Sequence, residues 1–102
     1  MTGIERIAAE RMRQIKKEGW TYEHDNAHEK GELTAAAACY ALENYDKGFN
    51  IKDFYVGYAD ILWPWDIEWW KPSLDKIRNL EKAGALIAAE IDRLLRMEVR
   101  HE

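Results

Sequence analysis

Several things are scarce in this chain, and each scarcity excludes something. There is one cysteine in 102 residues, so no internal disulfide can form and a reducing, cytoplasmic compartment is expected. That residue, Cys39, sits among alanines, where a small buried side chain is the expected role. No apolar run approaches the roughly 20 residues of a transmembrane helix, and the opening Met1-Thr2-Gly3-Ile4-Glu5-Arg6 lacks the basic-then-apolar pattern of a leader; no membrane partner is expected. Basic charge is also short: 15 Lys and Arg against 19 Asp and Glu give a net charge of −4, which disfavours nonspecific nucleic-acid binding. No repeat and no low-complexity tract is present.

Aromatic mass, in contrast, is concentrated. Of five tryptophans, four fall in Trp63-Pro64-Trp65-Asp66-Ile67-Glu68-Trp69-Trp70, within a stretch over residues 49–71 that has no sustained helical period. A long non-repetitive segment in a small protein is usually functional or disordered, and disordered segments are aromatic-poor. The cluster is therefore expected to complete the core, to seal a subunit interface or to line a pocket for a flat ligand. The sequence leaves these three open.

Around it the chain reads as all-α, one domain over residues 1–102, with three main helices in a small bundle. The first covers residues 3–18, with capping-box spacing at Thr2 and Glu5, an apolar stripe of Ile4, Ile7, Ala8, Met12 and Ile15, and Gly19 as a left-handed stop. Its other face, including Arg6, Arg11, Arg13, Lys16 and Lys17, reads as solvated. The second covers residues 28–46, with Gly48 beyond it, on a buried stripe of Leu33, Ala36, Ala37, Tyr40 and Ala41. The third follows Ser73 as N-cap and runs to about residue 98, its apolar residues from Ile77 to Leu95 recurring at three and four. Small residues at 35–38 and 83–85 suit close antiparallel packing of these two. A short helical turn is expected over residues 51–60. A core this small is modestly stable, so a homo-oligomer is expected, with the tryptophans of 63–70 near its interface.

Chemistry-bearing side chains gather between Glu23 and Glu32. Glu29 and Glu32, three apart, share a face if both are helical, and such a pair can hold a divalent cation. His24 and His28, four apart, could join Asp25 as metal ligands. The alternative is a capping segment in which Asp25 or Asn26 starts the second helix.

The block Glu10-Arg11-Met12-Arg13-Gln14-Ile15 with Gly19-Trp20, then Glu29-x-Gly31-Glu32-Leu33, then an alanine-rich late helix from Leu80 to Ile91, resembles the MazG-like all-α nucleoside triphosphate pyrophosphohydrolases over the first third and last quarter of the chain. The resemblance implies a helical oligomer that cleaves nucleoside triphosphates to monophosphate and pyrophosphate, with Mg²⁺ held by two carboxylate motifs. Glu29 and Glu32 match the first motif. The second would fall on Asn79-Leu80-Glu81-Lys82, where Asn79 and Lys82 replace its Glu and Asp. A lysine there repels Mg²⁺ and takes its electrostatic place, Glu81 points elsewhere on the helix, and a metal-activated water needs several converging oxygens.

The resemblance therefore implies the scaffold of a nucleotide enzyme without its metal centre. That is a noncatalytic nucleotide-binding protein of phage or prophage type, of the kind that sequesters a nucleotide immune signal as an anti-defence sponge, with no cofactor. On this reading a base stacks on Trp65 or Trp69, a contact worth about 1–3 kcal/mol. Phosphates meet Lys71, Arg78 and Lys82, and Glu29, Glu32 and Asn79 complete a cleft between the second and third helices. Two alternatives stand beside it: a Mg²⁺-dependent pyrophosphohydrolase using Glu29, Glu32 and Asp75 or Glu81, and an interaction oligomer whose tryptophans only seal a dimer.

Overall fold

Local signals start and stop the helices. The computed structural model describes residues 1–45, 49–51 and 54–101, with backbone alone for 49–51, 54–56 and 99–101. Helix α1 (Gly3–Lys16) opens on a capping box: Thr2 Oγ1 accepts from the Glu5 N–H and the Glu5 carboxylate accepts from the Thr2 N–H. Gly19, at φ 72°, reverses the chain, and the Trp20 N–H returns to the Gln14 carbonyl at 3.0 Å. Helix α2 (Tyr22–Asn26) starts at Thr21, whose hydroxyl accepts from the His24 N–H. Helix α3 (Glu32–Glu43) follows Gly31, at φ 84°. Strands β1 (Phe49–Ile51) and β2 (Phe54–Val56) pair antiparallel with Asn50 opposite Tyr55. Helix α4 (Tyr58–Leu62), a 3₁₀ turn (Ile67–Trp69) and the long α5 (Lys76–His101) complete the order. The molecule is mostly helical, and the one hairpin among the described residues lies inside the aromatic connection.

Several boundaries differ from the sequence reading. The helix expected from His28 starts only at Glu32, after Gly31 in the left-handed region, and a separate short helix, α2, precedes it. Asp25 and Asn26 lie inside α2 rather than capping α3. The turn expected over residues 51–60 gives way to β2 and α4; Asp46 and Gly48 lie outside the described residues. At the start of α5 the Ile77 N–H is accepted by Asp75, while Ser73 accepts the Asp75 N–H, so Ser73 supports the cap and Asp75 forms it.

The core is the contact of α3 with α5. Leu33, Ala36 and Ala37 meet Ala83, Leu86 and Ala89, all buried. The two helices run antiparallel: Asn44, just past α3, donates to the Lys76 carbonyl at 2.9 Å and accepts from Asn79, while Glu32 at the head of α3 lies within electrostatic reach of Arg93. The small-residue patches thus pack as expected, with one exception. Gly84 faces α1, where a Cβ would stand 2.6 Å from Ile7 Cδ1. Helix α1 itself is turned against its pattern. Its buried side chains are Glu10, Arg11 and Gln14, whereas Ile4 is 82 % and Met12 46 % exposed. The basic face expected to be solvated thus sends Arg11 inward.

Gly84→Ala is expected to destabilise the fold. It gains about 1 kcal/mol of helix propensity but overpacks against Ile7, which typically costs about 1–3 kcal/mol. Ile7→Ala should cost less in the Gly84→Ala background than in the wild type, a coupling that a double-mutant cycle in urea denaturation reads directly.

Candidate ligand cavity

The turn at Gly19 and the short α2 bring Trp20 and His24 together, stacked with ring centroids 5.4 Å apart and planes 3° from parallel. His28 meets His24 edge-on at 4.9 Å and Trp65 at 5.0 Å. Trp65 stands perpendicular to Trp63 at 5.3 Å. Pro64 holds the preceding Trp63 in extended backbone, ψ 121°, and the Trp63 indole N–H donates to the Asp66 carbonyl at 3.0 Å. These rings, with Trp69, wall a cavity of about 670 Å³, and Tyr40 and Leu86 line it from the core side. The tryptophans are therefore neither wholly buried nor a loose surface patch. Trp63, Trp65 and Trp70 pack on the core while half-buried, and Trp69 is 59 % exposed. The Trp65 indole N–H is buried and has no hydrogen-bond partner among the described residues.

A buried ion pair fixes the histidine wall. Arg11 Nη2 donates to Asp25 Oδ2 at 2.6 Å, and Asp25 is fully buried. The other Asp25 oxygen lies 3.0 Å from His24 Nδ1. His28 Nδ1 lies 3.4 Å from the Glu32 carboxylate. Both imidazoles are thus oriented by a carboxylate at Nδ1. From α5, Arg96 donates to the Asn26 side chain and sits 4.2 Å over the Tyr22 ring, which clamps α2 from the far side.

The residues expected to bind ligand divide between several places. Trp65 and Trp69 line the cavity. The Lys71 ammonium lies 5.7 Å over the Trp69 ring. Lys82 donates to the Lys71 carbonyl and lies 5.3 Å over the Tyr40 ring. Both cations therefore sit against rings that line the cavity. Desolvation and then the nearby Arg78 charge push the Lys82 pKa down.

Arg78 and Asn79 are spent on the fold. Arg78 donates to Glu10 at 2.8 Å, tying α5 to α1. Asn79 is 2 % exposed; its oxygen accepts the Ser73 N–H and its amide donates to the Ser73 carbonyl and to Asn44. Burial raises the Glu10 pKa, but the hydrogen bonds from Arg13 and Arg78 outweigh it and hold that carboxyl below its ordinary value.

The cleft expected to join Glu29 and Glu32 with Arg78, Asn79 and Lys82 does not form as one site. Because α3 and α5 are antiparallel, the head of α3 meets the far end of α5. The side chain there is Arg93, buried, bonded to Glu90 and close enough to feel both Glu29 and Glu32. Asn79 and Lys82 lie 14 and 11 residues earlier, about 21 and 17 Å along the helix. The carboxylates of the first motif are not free of other partners. The Arg93 guanidinium is within electrostatic range of both, and Glu32 already accepts from the Lys30 N–H at 2.6 Å and lies 3.4 Å from His28. The proposed His24–Asp25–His28 ligand set loses Asp25 to Arg11. Among the described residues no group of three or more His, Cys, Asp or Glu side chains is placed to hold a metal ion. Sequence reasoning missed Trp20, His24 and His28 as one aromatic wall; the signal was the aromatic at 20 and the four-residue histidine spacing, read as metal ligation.

Arg11→Met should cost about 3–5 kcal/mol by leaving a buried carboxylate unpaired, and the double variant with Asp25→Leu should recover part of that loss in chemical denaturation. Glu10 sets an acid dependence. Its pKa is depressed in the folded state, so its contribution is present above the ordinary 4.5 and is lost as pH falls below it. The melting temperature of Glu10→Gln should therefore fall less steeply on acidification than that of the wild type.

Comparison of the chain with protein-family models, with curated proteins and with solved structures gives no match.

Proposed function

We propose that the chain is a noncatalytic binding protein for a nucleotide or nucleotide-derived small molecule, cytoplasmic and homo-oligomeric, of the phage type that sequesters a nucleotide signal. The observation that carries this reading is the cavity walled by four tryptophans and two histidines. Its volume falls in the ordinary range of small-molecule sites, about 300–1,000 Å³. Stacking on such walls stabilises a base by about 1–3 kcal/mol, and the Trp65 N–H is a donor in need of an acceptor such as a base supplies.

No lysine or arginine lines the cavity, so recognition is through the base. Phosphates lie outside, toward Lys71 beside Trp69 and Lys82 beside Tyr40. Arg93, within electrostatic range of Glu29 and Glu32, weighs against the pyrophosphohydrolase alternative, in which those carboxylates would have to hold Mg²⁺.

A thermal-shift panel of nucleoside triphosphates and cyclic dinucleotides, with and without Mg²⁺, tests the reading. A ligand at 100 times its Kd stabilises by about 2.7 kcal/mol. The expected result is a Mg²⁺-independent shift for at least one of them, weakened by Trp69→Ala and by Lys71→Glu with the helical circular-dichroism signal intact. Steady pyrophosphate release abolished by Glu32→Gln would overturn it in favour of the enzyme.

A further inference from the structure

The cavity is rich in hydrogen-bond acceptors and poor in cations. Among the described residues that line it, Asp66 is the one carboxylate, and no lysine or arginine joins it. The Asp66 side chain is exposed and makes no hydrogen bond or ion pair among the described residues. Although Asp66 precedes the 3₁₀ turn, its carboxylate does not cap that turn, which is where an aspartate so placed ordinarily spends its oxygens. The Trp69 N–H is held by the Asp66 carbonyl at 3.0 Å, so the free carboxylate and the exposed indole stand on one turn. His24 and His28 each have a carboxylate at Nδ1, which keeps the proton there and leaves Nε2 of the neutral ring as an acceptor. Against these acceptors stands the Trp65 indole N–H, buried without a partner, a state that costs free energy until an acceptor arrives.

We propose that the cavity reads a guanine base, with Asp66 and Trp65 as the residues that specify it. The inference rests on the nucleotide reading of the cavity and narrows it to one base. Guanine alone among the common bases carries two donating atoms side by side on its pairing edge, a ring N–H and an exocyclic amine. A carboxylate accepts from both at once, in charge-assisted bonds stronger than neutral ones. Adenine and cytosine would set the lone pair of a ring nitrogen against the carboxylate beside their single amine. Uracil and thymine would set carbonyls against it on both sides of their single N–H. Guanine also carries the acceptor that the Trp65 N–H needs, at its carbonyl oxygen or the nearby ring nitrogen.

Charge sets the orientation. Asp66 repels phosphate, so the base enters toward Asp66 and the phosphates turn toward Lys71, whose ammonium lies 5.7 Å over the Trp69 ring. A bare alkylammonium ion suits aromatic walls and a carboxylate, but it has no lone pair to offer the Trp65 N–H.

Isothermal titration of the full chain with guanosine, inosine, adenosine and xanthosine monophosphates, and with choline, tests this. Guanosine triphosphate and cyclic diguanylate, titrated in parallel, tell a free mononucleotide from a larger carrier of the same base. The guanine ligand is expected to bind. Its hypoxanthine counterpart, which lacks only the exocyclic amine, should bind about 10- to 100-fold more weakly, the weight of one charge-assisted bond. Asp66→Asn should reverse the preference toward xanthosine monophosphate. Asparagine offers one acceptor and one donor, and xanthine has a carbonyl where guanine has its amine. Because the Asp66 side chain bonds to nothing in the fold, circular dichroism and Tm should stay at their wild-type values, and the reversal itself is a readout that misfolding cannot produce. Trp65→Phe, which keeps an aromatic ring and removes the N–H, should weaken the guanine and hypoxanthine ligands alike. Equal affinity for adenosine monophosphate, or an Asp66→Asn variant with the wild-type ranking, would overturn this inference and leave the nucleotide reading standing. Binding by none of the nucleotides, with or without binding of choline, would overturn both.

Discussion

The pair between Arg11 and Asp25 is the interaction on which the site depends. Asp25 has no exposure to solvent, and its two oxygens go to different elements, one to Arg11 on α1 and the other to His24 of its own helix. A carboxylate that deep is stable as an anion only while it is paired. Helix α2 has five residues, too few to hold itself together in water. It is held from one side by this pair and from the other by Arg96 on Asn26 and Tyr22. His24 inherits its orientation from that clamp, and Trp20 and His28, anchored by Gln14 and Glu32 respectively, pack against it. Replacing the ion pair with apolar residues of similar volume could match its stability, but no carboxylate would then aim the imidazole at the cavity.

The α3–α5 contact sets the second constraint. Alanine against alanine, with Leu33 and Leu86 filling the rest, lets the backbones approach closely and leaves no room for polar side chains in the middle of the joint. Function is pushed to its ends and flanks. At one end Asn79, Asn44 and Ser73 form a clasp of side-chain and backbone hydrogen bonds. At the other, Arg93 and Glu90 face the carboxylates at the head of α3. On the flank, the aromatic segment folds over Tyr40 and leaves the cavity between itself and α2.

Much of the fold was legible in the sequence, and less of the site. The capping box at Thr2, the reversal at Gly19 and the small patches around Ala36 and Ala83 follow from local chemistry, and local chemistry is what a sequence displays. The burial of Glu10, Arg11 and Gln14 is not local. Arg11 turns inward because Asp25, fourteen residues on, needs a cation, and a periodicity argument has no access to that need. The same holds for Asn79. Aligned on a motif, it looks like a weakened metal ligand; in place, it is the hydrogen-bonding hub that stitches the start of α5 to the end of α3. Trp65 and Trp69 were identified as cavity residues because aromatic density in an irregular segment is an informative signal by itself. Their companions Trp20, His24 and His28 come from a distant part of the chain.

These arrangements bear on why the chain would bind without catalysing. The arginines nearest the possible chemistry are committed: Arg78 to Glu10, Arg11 to Asp25, Arg93 to Glu90. Each guanidinium that could have stabilised a transferring phosphoryl group stabilises the fold instead. Asp25 and Glu32, two of the carboxylates that could have held a metal, are engaged by Arg11 and by the Lys30 N–H. What lines the cavity, apart from Asp66, is surface without a fixed charge: indole faces, imidazole edges and one unpartnered N–H. Such surface gains energy from flat ligands in the ground state and has nothing that strengthens as charge develops in a transition state. Binding is what this chemistry can do well, and a protein that sequesters its ligand needs nothing else from its site.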